Sequence, residues 1–187
     1  MVTIYNTATT LDGYLATPDN SLQWLFDVPG ADDEESGIDD FLAGIGAMAM
    51  GRTTYEWVVE HESLLERPAT WSAWYGDRPA WVFTHGDPPV VEGADIRFTQ
   101  APVEQVYAEL VAAAGGRDVW VMGGGDLAGQ FADAGLLDRV VVTVAPVTLG
   151  AGAPLLPRDL RSDRLTLVSV GQRGQFAELT YDVGPPA

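Results

Sequence analysis

The chain contains no cysteine and no lysine. Without cysteine, disulfides, thiol nucleophiles, zinc ribbons and iron–sulfur clusters are excluded. Without lysine, a Schiff base, a lysine general base and the phosphate lysine of a Walker-type loop are excluded as well. Histidine is scarce: His61 and His85 stand in unrelated contexts, which leaves no HExxH site and no histidine-rich metal cage. Positive charge is also thin, because 10 basic residues, all arginine, face 27 acidic ones for a formal charge of −17. That balance repels polyphosphates, and no basic run interleaved with aromatics marks a nucleic-acid footprint, so nucleic acid is not an expected partner. The charge-free stretch from Val140 to Pro157 is broken by Pro146, Gly150, Gly152 and Pro154 and does not read as a membrane span. The N-terminal residues MVTIYNTATTLDGYLA show neither a basic nor an apolar leader region. A cytoplasmic protein with no membrane partner is the expectation.

The 187 residues that are present suit one domain, at roughly 150 residues per domain. Val2 to Thr7 reads as a first strand ending at the Asp12-Gly13 turn, and residues 17–35 read as an acidic surface loop. Ile38, Phe41, Leu42 and Ile45 share a helical face, with Ser36 and Asp39 at capping-box spacing. A buried strand from Ala47 to Met50 closes at Gly51, and Thr53 with Glu56 predicts a second capping box on a helix starting after Arg52. Residues 62–79 show no clean periodicity. Strands follow at Trp81 to Thr84 and Ile96 to Phe98, then a helix from Pro102 to the Gly115-Gly116 stop. Val119 to Met122 gives another buried strand, followed by Gly123-Gly124-Gly125 and a helix ending at Gly135. Val140 to Ala145 and a hairpin of Leu165 to Val170 with Phe176 to Tyr181 complete the chain. Alternating elements with a terminal hairpin indicate an α/β domain whose mostly parallel sheet carries an antiparallel edge.

Twice, a buried strand runs through glycine into a helix: Met50-Gly51-Arg52-Thr53-Thr54 and Met122-Gly123-Gly124-Gly125-Asp126. Free N–H groups at a helix start favour an anion, and glycine lets a phosphate approach the main chain. Two neighbouring sites of this kind suit one dinucleotide; the alternative is that each glycine only permits a tight turn. Asp126 opposes a phosphate unless its side chain turns outward or caps the helix.

These residues carry a resemblance. Met50 to Glu56 (MGRTTYE) and Met122 to Gly125 (MGGG) resemble the dihydrofolate reductase-like fold. Thr10 to Ala16 (TLDGYLA), Gly135 to Asp138 (GLLD) and Pro146 to Gly152 (PVTLGAG) resemble its riboflavin-biosynthesis reductase C-terminal domain branch. The likeness spans about Val2 to Tyr181 and implies a single-domain, three-layer fold with helices flanking the sheet. It implies an NADPH-dependent reductase acting on a pterin- or pyrimidine-like ring or a related conjugated acceptor. Gly51, Arg52, Thr53, Met122, Gly123, Gly124, Gly125, Asp126 and Leu127 would contact the cofactor, with a cis peptide between Gly123 and Gly124. Thr84 and His85 would stand beside the adenosine ribose. A histidine there, in place of the family's usual arginine, leaves NADH open beside NADPH.

The acceptor is expected at the exit of the first strand, near Thr10, Asp12 and Trp24. Asp12 is either an acid–base group holding an amino-heterocycle or an ordinary Asp-Gly turn residue. Glu35 is the nearest match, by spacing, to the substrate-binding acid on the helix ahead of the GR motif; the acidic run around it reads equally as solvated surface. Trp57, Trp71, Trp74 and Trp81 read as packing residues. Tyr14 stands where the riboflavin-pathway reductases present a lysine, which speaks against a ribosylaminopyrimidine substrate. Two further readings stay open: a deazaflavin- or flavin-dependent reductase, and a non-catalytic binding protein on the same fold. Edge pairing of the C-terminal hairpin is expected to make a homodimer.

Overall fold

The computed structural model describes residues 1–31 and 37–186. Its elements are β1 (Thr3–Thr10), β2 (Tyr14–Ala16), α1 (Gln23–Phe26), α2 (Ile38–Gly44), β3 (Ile45–Gly51), α3 (Arg52–His61), α4 (Ala69–Tyr75), β4 (Ala80–Phe83) and β5 (Ile96–Thr99). They continue with α5 (Val103–Ala114), β6 (Asp118–Gly123), α6 (Gly125–Asp133), β7 (Arg139–Ala145), β8 (Ala153–Pro154), β9 (Leu165–Arg173) and β10 (Phe176–Val183). Eight strands form one sheet in the order β5-β4-β3-β6-β1-β7-β10-β9. All pairings from β5 through β7 are parallel, and β10 pairs antiparallel with β7 and β9. The parallel interior with an antiparallel edge follows the sequence reading.

Strand composition explains the layers. Along β3, Ala47 and Ala49 point into one core with Val119, Val121, Leu110 and Phe131, while Met48 and Met50 point into another with Tyr55, Val58 and Trp71. Strands buried on both faces have no need of polar alternation, so β3 reads as a continuous apolar run. Helices α5 and α6 cover the first face; α2, α3 and α4 cover the second. Gly115 ends α5 in the left-handed conformation at φ 61°, a position that favours glycine.

Three local expectations fail. The predicted capping box of Thr53 and Glu56 does not form: Gly51 is the N-cap, no side chain caps α3, and Glu56 instead accepts from Arg52 Nε at 2.8 Å. Residues 62–79 contain α4, whose Trp71 is fully buried. The stretch read as an acidic loop includes α1, whose Trp24 joins Val28, Ala145 and Phe176 in a small third core. Ser36 lies outside the described residues, and α2 has Gly37 as its N-cap.

Candidate functional site

Strands β3 and β6 are neighbours, with Met50 in register with Gly123, so the two glycine turns lie side by side at the strands' C-terminal ends. Gly51 precedes α3 and Gly124 precedes α6, and neither helix has a side-chain cap. The first-turn N–H groups of both helices are thereby left for a ligand, at the positive end of each helix dipole. The peptide between Gly123 and Gly124 is cis, as the resemblance implies. The three glycines serve different needs. Gly123 adopts φ 144°, a conformation that favours glycine. A Cβ on Gly125 would collide with the carbonyls of Pro154 and Leu155, so this glycine lets α6 pack against that segment. A Cβ on Gly124 would meet nothing within 4 Å, because the cleft opens there.

The cleft has a volume of about 800 Å³, within the roughly 300–1,000 Å³ range of small-molecule sites. It brings together Gly51, Arg52, Thr53, Thr84, His85, Met122, Gly123, Gly124, Gly125, Asp126, Leu127 and Trp24, each named from the sequence. Arg52 lies against the backbone of Gly86 while bonded to Glu56. Thr84 is buried, and its hydroxyl accepts from Gly86 N–H at 3.1 Å, which fixes the turn that carries His85. Asp126 lines the cleft with its carboxylate paired: it accepts from the Gln130 amide at 2.9 Å and forms an ion pair with Arg158 at 3.0 Å. The Gln130 amide, and then Arg158, hold its carboxyl below the usual carboxylate range. Trp24 buries an indole N–H that has no partner among the described residues.

Two expected acceptor residues stand elsewhere. Thr10 and Asp12 line neither this cleft nor the second cavity described below. Asp12 accepts the Thr10 hydroxyl and the backbone N–H groups of Leu149 and Gly150, the latter at 2.7 Å, and Thr10 accepts Tyr14 N–H at 3.0 Å. The Thr10 hydroxyl foremost, then those N–H groups, keep the Asp12 carboxyl ionised. The pair fastens residues 149–150 to the β1–β2 turn, so the geometry is that of a structural clamp. Glu35 lies outside the described residues.

Sequence reading missed a second cavity of about 670 Å³ that shares Thr7, Ala8 and Leu25 with the first. Phe41, Trp120 and Phe176 wall it, and Glu178 is the one carboxylate lining it among the described residues. It also missed Trp57, which lines the first cleft and stacks on His61 at 4.4 Å; His61 stacks in turn on Phe26 at 5.1 Å. Trp57 and His61 sit at i and i+4 on α3, a spacing that announces contact, but nothing local announces Phe26.

Among the described residues no cluster of metal-ligating side chains occurs, and no helix is long and apolar enough to cross a membrane. Among curated proteins, the uncharacterized protein YwjB of Bacillus subtilis is 31% identical over 179 residues, 96% of each chain. A crystal structure from Shewanella sp. PV-4, described as that of a candidate riboflavin biosynthesis protein, matches with a TM-score of 0.79 at 24% identity, covering 98% of this chain and 99% of that one. The deaminase and 5-amino-6-(5-phosphoribosylamino)uracil reductase of Thermotoga maritima matches at 0.65 and 15%, covering 98% of this chain and 56% of that one. Dihydrofolate reductase of Enterococcus faecalis, solved with NADP(H), matches at 0.61 and 16%, covering 97% and 96%. The fold is that of the dihydrofolate reductase-like proteins. Residues 2–177 match the sequence model of one family within it, and the paired glycine turns fall inside that match, so this chain belongs to the RibD C-terminal domain family.

Proposed function

We propose that the protein is an NADPH-dependent reductase that binds its cofactor in the first cleft and a planar heterocyclic acceptor in the second cavity. The observation that carries this reading is the adjacency of two uncapped helix starts on a cleft that shares a wall with a second cavity. The residues present fit a dinucleotide: Gly124 leaves open space where any side chain would intrude, and Arg52 offers a cation beside Thr84 and His85. The first-turn N–H groups of α3 and α6 hold the diphosphate. Arg52, Thr84 and His85 hold the ribose end.

When bound, a reduced nicotinamide supplies the hydride. The chain's own contribution is orientation. Thr7, Ala8 and Leu25, common to both cavities, form the boundary where donor and acceptor rings meet, and ordered contact there replaces a bimolecular encounter. Phe41, Trp120 and Phe176 give the acceptor apolar faces, and Glu178 accepts hydrogen bonds from ring N–H groups.

The reading extends to a homodimer. Leu167, Val168 and Val170 of edge strand β9 are each more than half exposed, and a second copy would cover them.

Titration of the purified chain with NADPH, NADH and a deazaflavin, followed by tryptophan quenching, tests the function. Saturable NADPH binding is expected. Deazaflavin binding alone shifts the cofactor assignment, and no binding by any of the three overturns the reductase reading.

A further inference from the structure

We infer that the second cavity takes an acceptor ring bearing amino or amide groups and no phosphate, an inference that rests on the reductase reading. The floor of this cavity is one patch of the sheet. Ala8 pairs with Thr143, Thr143 with Glu178, and Glu178 with Gly171; Asn6 pairs with Val141, Val141 with Thr180, and Thr180 with Ser169. Residues paired across adjacent strands point to the same face. Two rows therefore present an amide, three hydroxyls and a carboxylate, and the small residues Ala8 and Gly171 stand at the two ends of the first row. The side chains of Asn6, Thr143, Ser169 and Thr180 have no hydrogen-bond partner among the described residues. Neutral donors and acceptors in this arrangement suit the edge of an amino-heterocycle.

Charge tells against a phosphate in the same place. Arg173 is the one basic side chain lining the cavity among the described residues. Its Nε lies 3.2 Å from Glu178 Oε1, and its guanidinium sits 5.3 Å from the centre of the Phe176 ring. A phosphate taking this arginine would displace Glu178 and leave a carboxylate facing the incoming anion. The chain has no lysine to compensate, and α2, which lines one wall, carries Asp39 and Asp40 in its first turn. The first cleft is built in the opposite way, with two helix starts, Arg52 and His85. Anion recognition is thus concentrated on the cofactor side, and the acceptor side is polar but uncharged overall.

A matched pair of ligands tests this on the full chain: 5-amino-6-(5-phosphoribosylamino)uracil and its dephosphorylated riboside, titrated calorimetrically with and without saturating NADPH. The riboside is expected to bind, and the phosphorylated form to bind about tenfold more weakly at low salt. The gap should close as salt rises, because it reflects screened repulsion. Glu178→Gln, which frees Arg173, is expected to narrow the gap by improving the phosphorylated ligand. Tighter binding of the phosphorylated form overturns the inference. So does binding of NADPH with neither ring bound. Failure of NADPH to bind while the riboside binds removes the reductase reading and leaves the chemistry of the cavity standing.

Discussion

Arg158 reaches Asp126 across a 3.0 Å ion pair from 32 residues further along the chain. Its Nε bonds Asp133 at 2.6 Å, and its guanidinium lies on α6 at Gly129, where a Cβ would crowd it at 2.7 Å. Asp126 occupies the first turn of the helix whose N-terminus faces the cleft, where its charge opposes a bound phosphate. Arg158 offsets that charge. Arg158→Gln is expected to weaken NADPH binding by about three- to tenfold, with a steeper loss at low salt. Adding Asp126→Asn should restore most of it. A double variant no better than Arg158→Gln alone would assign the arginine to packing.

The glycines of the second turn separate binding from folding. Gly124→Val is expected to abolish NADPH binding while leaving the melting temperature within a few degrees, because the added atoms enter the open cleft. Gly125→Ala pushes against the carbonyls of Pro154 and Leu155 and should cost about 1–3 kcal/mol of stability in a denaturant titration. Unchanged affinity in a folded Gly124→Val protein would remove this turn from the site.

Asp12→Asn should lower the melting temperature at pH 7 and leave NADPH affinity unchanged, because Asp12 lines neither cavity. The folded-state pKa is depressed, chiefly by the Thr10 hydroxyl, so the stabilisation is present above the usual carboxylate range and is lost as pH falls through the folded value. The difference between wild type and variant should therefore shrink on acidification. Melting curves from pH 7 to pH 3 check this, and a difference that grows on acidification would contradict it.

The fold was legible because its signals are local. Glycine after an apolar run, proline ahead of α5 and alternating apolar blocks identify most of the elements and the first cleft, although β1 and β9 each run three residues beyond the sequence reading, and β2, α1, α4 and β8 are missing from it. The second cavity was not legible, because its floor is assembled by register. Thr143, Glu178, Thr180 and Ser169 become neighbours only when β7, β10 and β9 pair. The Asp12 clamp was hidden for a related reason: the sequence allows Asp12 either as an acid–base group or as an Asp-Gly turn residue, and its partners, Leu149 and Gly150, are too distant in sequence to be read from that pair. The predicted Thr53–Glu56 capping box lost to an i,i+4 ion pair between Arg52 and Glu56.

The stack of Phe26, His61 and Trp57 ties α1 to α3 over both cavities. His61→Ala should loosen α1, raising amide exchange across residues 23–26 by about tenfold with little change in residues 55–59. Equal protection in the two proteins would show that Trp24 and its buried neighbours hold α1 without the stack.

Sedimentation equilibrium at micromolar concentration should give twice the chain mass, and Val168→Glu together with Val170→Glu should return the monomer. A monomeric wild type would remove the homodimer.

The carbonyls of Pro154 and Leu155 press on Gly125, and Pro157 completes the rim of the first cleft. The rim of the first cleft is thus supplied in part by residues 154–157, about 30 positions beyond the second glycine turn, and the cleft is complete only once that segment has packed on α6. The dinucleotide proposed for this cleft would therefore stabilise only molecules in which that late segment is docked, coupling its affinity to the packing of residues 154–157.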